Sequence, residues 1–233
     1  MKKPIKKDIE QNINFLKKEL GAGESFDILT REFEIGEQKA GLLFIDGFIK
    51  DDLILPIKRL METKREDISV AAIKKILNSR LPYYEISTVK TLDEVIKEVL
   101  AGPQALLLDG CKEAIIIDSR TWLRRSPEEP ELEKVTMLFN VNSIRRRIRD
   151  VNFRAEVVEV GKRSRNDVAL VYIKDIIDNQ LVEEIKDKLN SVDVDGLPLA
   201  DKSVEDIITG GTLNPLPLVR STERPDKAAA HIL

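Results

Sequence analysis

The sequence holds one histidine, His231, and one cysteine, Cys111, in 233 residues. Zinc sites built mainly from those ligands are excluded, and Ser-His or Cys-His nucleophilic catalysis has almost nothing to work with. Carboxylates are the remaining acid–base chemistry. Asp46 and Asp109 follow apolar runs, as catalytic acids often do, yet each precedes a glycine, and a turn-forming aspartate accounts for both. Together with Asp118 they define the one enzyme alternative, an acid-dependent hydrolase. Gly21-Ala22-Gly23 lacks the third glycine of a dinucleotide fingerprint and follows a helical pattern instead of a strand. No Gly-x-x-x-x-Gly-Lys-Ser/Thr phosphate loop is present. Ser191-Val192-Asp193-Val194-Asp195-Gly196 opens like a calcium loop, but it starts on serine and reaches Lys202 where a bidentate glutamate belongs, so it reads as an ordinary loop. These residues predict no catalytic group, no metal and no cofactor.

What stands out instead is cationic. Arg145-Arg146-Arg147-Ile148-Arg149-Asp150 is the densest basic run. On a helix whose apolar stripe is Met137, Val141, Ile144 and Ile148, Arg146 points away from the stripe while Arg145, Arg147 and Arg149 flank it. One reading is a solvated face with cations favourably placed in the last turn. The other is a clamp for carboxylates of another subdomain, another subunit or an anionic headgroup. The expectation is an exposed Arg146, with Arg145 or Arg147 reaching acids across the subdomain boundary. Nucleic acid is not expected as a partner: the run is short, no aromatic platform accompanies it, and the net charge is −3. Trp122, among Arg120, Arg124 and Arg125, reads as packing or a cation–π contact.

The elements that must position these residues are legible by period. Charged residues are 34% and hydrophobic ones 42%, a globular composition outside the disordered class. No apolar run approaches the ~20 residues of a membrane-spanning helix. Ile9, Ile13, Leu16 and Leu20 predict a helix stopped at Gly21. Strands follow at 26–35 and 40–46, then helices capped at Asp51-Asp52 and at Asp67. Thr91-Leu92-Asp93-Glu94 is a capping box opening a helix that ends at Gly102. A tight hairpin is predicted at 104–108 and 113–117. After the breaker Ser126-Pro127-Glu128-Glu129-Pro130-Glu131 come the arginine helix, a second hairpin at 154–160 and 167–173, and helices around 181–189 and 204–208. An extended Leu213–Pro217 and a short helix begun by Pro225 close the chain. The fold class is α/β (α+β), with two subdomains, each a small mixed β-sheet packed with helices. The boundaries are 1–126, a linker at 127–136, and 137–233.

The two halves echo one another. Gly41 to Ile54 aligns without gaps on Ala169 to Val182, preceded by Glu34-Ile35-Gly36 and Glu159-Val160-Gly161. The physical reading is one strand–turn–strand–capped-helix unit used twice.

Six motifs in order carry a family resemblance. They are Pro127-Glu128-Glu129-Pro130-Glu131, Ile144-Arg145-Arg146-Arg147-Ile148-Arg149-Asp150, Val160-Gly161-Lys162-Arg163-Ser164, Val168-Ala169-Leu170-Val171-Tyr172, Val192-Asp193-Val194-Asp195-Gly196 and Thr222-Glu223-Arg224-Pro225-Asp226-Lys227. The chain resembles the soluble N-terminal domain of the A subunit of GerA-type spore germinant receptors. The resemblance implies a non-enzymatic module for sensing small nutrients, amino acids or sugars, and passing a signal to membrane helices with an ion-channel-like output. It implies B and C subunits as partners, self-association in the receptor, and a place at the spore inner membrane on the reducing side, reached through a downstream segment. The rival within that resemblance is an assembly module without its own ligand site. Interaction candidates are Arg145, Arg146, Arg147, Arg149, Asp150, Glu223, Arg224 and Asp226, with Thr222–Lys227 as the junction toward the membrane part. One departure stands: Glu133-Lys134-Val135 runs into Thr136-Met137 without the loop the family usually carries there.

Overall fold

A computed structural model of the chain describes residues 2–48, 69–80, 84–120, 133–192, 194–195, 200–210 and 219–233. The chain divides into two compact units, Met1–Arg125 and Ser126–Leu233. The predicted helix after Asp51-Asp52, the breaker at 126–131, Trp122 and the Leu213–Pro217 stretch lie outside the described residues.

In the first unit, α1 (Ile9–Leu20) begins at Asp8, whose side chain accepts from the Gln11 backbone N–H. It ends at Gly21, whose φ of 72° is a left-handed stop that glycine adopts without strain. The hairpin β1 (Ile28–Ile35) and β2 (Gln38–Ile45) follows, starting two residues later than the sequence predicts for its first strand. Next come α2 (Val70–Arg80), β3 (Glu85–Val89), α3 (Leu92–Ala101), β4 (Gln104–Leu108) and β5 (Ala114–Asp118). The sheet order is β1-β2-β4-β5-β3.

The α+β class expected from the sequence is the class observed. The directions correct one detail, because every described strand pairing is antiparallel, not mixed. β3 and β4 do run parallel across the crossover helix α3, but β5 inserts between them and pairs antiparallel with both.

Alternate residues of the central strands face different helices. Ala40, Leu42, Leu106, Leu108, Ile115 and Ile117 join Ile73 and Leu77 of α2. On the other side α1 and α3 lie against β2. Gly41 is the point of closest approach there, since an added Cβ would sit 2.5 Å from the Ile13 Cδ1.

In the second unit, α4 (Glu133–Arg147) starts four residues before the predicted stripe. β6 (Phe153–Val160) and β7 (Asn166–Ile173) form a two-stranded antiparallel sheet. α5 (Asn179–Ser191), α6 (Ala200–Thr209) and α7 (Pro225–Ile232) complete it. A two-stranded hairpin is marginal alone. Here Leu189 and Ile185 of α5 cover Val158 and Val160 on one face. α4 packs against β7, with Arg145 over Phe153.

Candidate functional site

The arginine helix and the terminal helix meet. α4 and α7 pack against each other, with Ala229 of α7 only 2% exposed. Docking on α4 buries Ala229 and holds α7 in place. Pro225 stands in its first turn, where a missing N–H costs nothing.

The four arginines of the basic run separate. Arg145 is fully buried at 0% exposure. Its guanidinium carbon lies 4.0 Å from the centroid of the Phe153 ring, and Nη1 donates to the Phe153 carbonyl at 3.5 Å. Arg154, also buried, donates to the same carbonyl at 3.1 Å and to that of Val151 at 2.7 Å. Arg146 is half-buried, while Arg147 and Arg149 are exposed. The expectation of an outward Arg146 is therefore corrected. Arg145 lies only about 40° round the helix from Val141, well inside the buried arc, and Arg147 takes the outward position. Asp150 is a turn-former: its carboxylate accepts from the Asn152 backbone N–H at 2.7 Å and leads the chain into β6.

Arg224 and Asp226 form a two-point ion pair, Nε to Oδ1 at 3.1 Å and Nη2 to Oδ2 at 2.7 Å. The Arg224 guanidinium holds the Asp226 carboxyl below its ordinary range, and Arg147 of α4 pulls the same way. Asp226 thus feels cations of both motifs, Arg224 most and Arg147 least. The Arg224 backbone N–H donates to the Thr222 hydroxyl at 3.2 Å, which turns the chain into α7. Glu223 is exposed. Asn142 belongs to none of the sequence motifs. It is wholly buried on α4, and neither its amide oxygen nor its nitrogen has a hydrogen-bond partner.

Two acids of the hydrolase alternative, Asp109 and Asp118, are taken up by local structure. The Asp109 carboxylate accepts from the Ile9 backbone N–H at 3.1 Å, and so serves the N-terminus of α1. Asp118 is held below the ordinary carboxylate range by a side-chain hydrogen bond from Arg120. Asp46 sits at the end of the first hairpin, its N–H bonded to the Asp27 carbonyl at 2.8 Å. Among the described residues no cluster of three or more His, Cys, Asp or Glu could hold a metal ion. Among them, too, no helix is long and apolar enough to cross a membrane.

Residues 14–233 match the family described as Bacillus/Clostridium GerA spore germination protein. The chain is 38% identical to stage V sporulation protein AF of Bacillus subtilis (strain 168), over 96% of this chain and 48% of that protein. It is 30% identical to spore germination protein GerLA of Bacillus cereus, over 97% of this chain and 49% of that protein. With spore germination protein KA of B. subtilis the identity is 29%, over 98% and 44%. A crystal structure of the N-terminal domain of the A subunit of the Bacillus megaterium spore germinant receptor GerK3 superimposes with a TM-score of 0.75. It covers 100% of this chain and 90% of that one at 24% identity, so it establishes the fold. The protein is a member of the GerA family of spore germination proteins. It has the fold of a germinant-receptor A-subunit N-terminal domain, and it spans about half the length of the curated relatives it matches.

Proposed function

We propose that this chain is a non-enzymatic module that takes part in small-nutrient sensing during spore germination and relays a signal through α7. In this reading its partners are the receptor B and C subunits. Its place is at the spore inner membrane, on the reducing side, held by the part of the relatives' length that it does not span. α4 and α7 are the relay, with Arg147, Arg224 and Asp226 coupling them and Arg149 and Glu223 turned outward for contact with another subunit.

The observation that carries the proposal is the docking of α7 on the arginine helix. Two motifs about seventy residues apart in sequence come together, and Asp226 answers to cations from both. A displacement of α7 therefore alters the charge environment of α4, and the reverse holds as well. The test is germination of spores whose protein carries Arg224→Ala or Asp226→Ala. Normal protein levels with a blunted nutrient response are expected. A parental response at normal levels overturns the relay.

A second reading rests on the 38% identity to stage V sporulation protein AF, above the 29–30% to proteins KA and GerLA. In it the chain is a sporulation protein and not a nutrient receptor. Deletion separates the two. Loss of the response to one nutrient supports the receptor reading, and a defect that ignores nutrient identity supports the second.

A further inference from the structure

No strand among the described residues pairs with the second edge of β7, and the matched strand of the other unit shows what such an edge accommodates. β2 runs Gln38–Ile45 and β7 runs Asn166–Ile173, so 166 − 38 and 173 − 45 both give a shift of 128. In β2, residues Ala40, Gly41, Leu42 and Leu43 are buried and pair with Leu108 to Ala105 of β4. Their counterparts Val168, Ala169, Leu170 and Val171 are only half-buried. Among the described residues these four make no backbone hydrogen bond outside the β6–β7 ladder.

The two edges of the five-stranded sheet carry the usual protection against pairing. β1 has Arg31, Glu32 and Glu34, and β3 is short and opens on Glu85. From Val168 to Ile173 β7 has neither a charge nor a proline. Val157, opposite Ala169 on β6, adds further exposed apolar surface.

We propose that β7 pairs with β7 of a second copy of this chain, antiparallel across a two-fold axis, to form one four-stranded sheet ordered β6-β7-β7-β6. The register follows from geometry. Opposite residues of an antiparallel pair belong to the same hydrogen-bonding class, and that class alternates along a strand. A strand paired with its own copy must therefore be centred on a residue. Centring on Ala169 sets Asp167 against Val171, and centring on Val171 sets Asp167 against Asp175. Centring on Leu170 sets Val168 against Tyr172, Ala169 against Val171 and Leu170 against itself. Just beyond the strand ends it directs Arg165, which also lies 3.7 Å from Glu159 of its own copy, toward Asp175 of the other, and both side chains are exposed. Val168 to Tyr172 then meet only one another, Asp167 falls at the strand end opposite Ile173, and the flanking charges are complementary.

The test uses the 233-residue chain with Cys111→Ser. Leu170→Cys places two thiols across the axis at a Cα separation of about 5 Å, within disulfide reach. Mild oxidation is expected to give a covalent dimer for Leu170→Cys and much less for Ala169→Cys or Val171→Cys. In sedimentation of the unmodified chain, Arg165→Asp or Asp175→Arg is expected to weaken the dimer about fivefold, and the two together to restore it. These exposed substitutions leave the fold intact even where a cysteine variant fails to fold. A monomer at every concentration, cross-linking strongest at another position, or no restoration by the charge swap overturns the proposal.

Discussion

Replacing Arg145 by alanine tests the joint between α4 and β6. The side chain is fully buried with its guanidinium over the Phe153 ring. The two methylenes of its stem beyond the β-carbon that alanine keeps are worth about 1.6 kcal/mol at ~0.8 each. A desolvated cation–π contact adds about 2 kcal/mol. The long hydrogen bond to the Phe153 carbonyl adds little, because Arg154 already serves that oxygen at 3.1 Å. Against these stands the cost of holding a guanidinium out of water, which alanine relieves in part. A net loss of about 2–3 kcal/mol follows, or about 10 °C or more in the melting of a unit this size. Arg145→Met keeps the stem and should cost about 1 kcal/mol or less. Urea unfolding followed by circular dichroism reads the difference, in the transition that Phe153→Ala also moves. A cycle with Phe153→Ala should show about 0.5–2 kcal/mol of coupling. If Arg145→Ala stays within ~0.5 kcal/mol of the parent, the range of exposed substitutions, or if Arg147→Ala costs as much, the assignment of inner and outer arginines is wrong.

Asn142→Leu should raise stability by about 1–2 kcal/mol, since it removes a buried amide without partners; a loss in chemical unfolding would mean that the amide is in fact satisfied. Ala229→Glu should undock α7, seen as faster amide exchange over 225–232 with the β6–β7 amides still protected; unchanged exchange would refute docking as the source of its order. Gly41→Ala should cost about 1–3 kcal/mol, because Ile13 must give way; a neutral result would show that α1 shifts freely. Glu94 is held at about 2, first by the Lys2 side chain, then by the Lys90 N–H and the Thr91 hydroxyl. Its folded pKa lies below the unfolded value, so its contribution is fully present above about 4.5 and fades as pH falls toward 2. Glu94→Gln should lower stability at neutral pH, by an amount that solvent screening keeps small, and meet the parent curve toward pH 2, which flattens the acid limb.

Capped helices were readable because their signals are local. Thr91 accepts from the Glu94 N–H as the capping box requires, although the Glu94 carboxylate returns its bond to the N–H of Lys90 and not to that of Thr91. Asp178 likewise opens α5. For α2 the side chain meeting the Ala72 N–H is that of Ser69, two residues past the expected Asp67. β3 escaped notice because only Ile86 in it is buried, so an edge strand of five residues shows almost no alternation. The repeat was legible to the residue in β2 and β7, but the sequence could not say that only one of them gains a neighbour from β4. At the candidate site the arginine run and the tail were both found by composition. Their meeting was not, since nothing local encodes which stripe an eight-residue helix will choose. The charge of Arg145 argues for a flanking position, while its angle on the helix places it inside the buried arc.

The cap that Asp109 supplies to α1 has a bearing on synthesis. Asp8 and Asp109 share the first turn of that helix, and the Gly110 N–H reaches back to the Lys7 carbonyl at 2.7 Å. The second half of this cap lies a hundred residues downstream of the helix it completes. A ribosome therefore delivers α1 long before its closing partner, and the apolar stripe of Ile9, Ile13 and Leu16 has no finished seat until the β4–β5 turn emerges. The first unit must close late and all at once, with its earliest residues among the last to settle, and a nascent chain stalled short of Gly110 presents that stripe to chaperones.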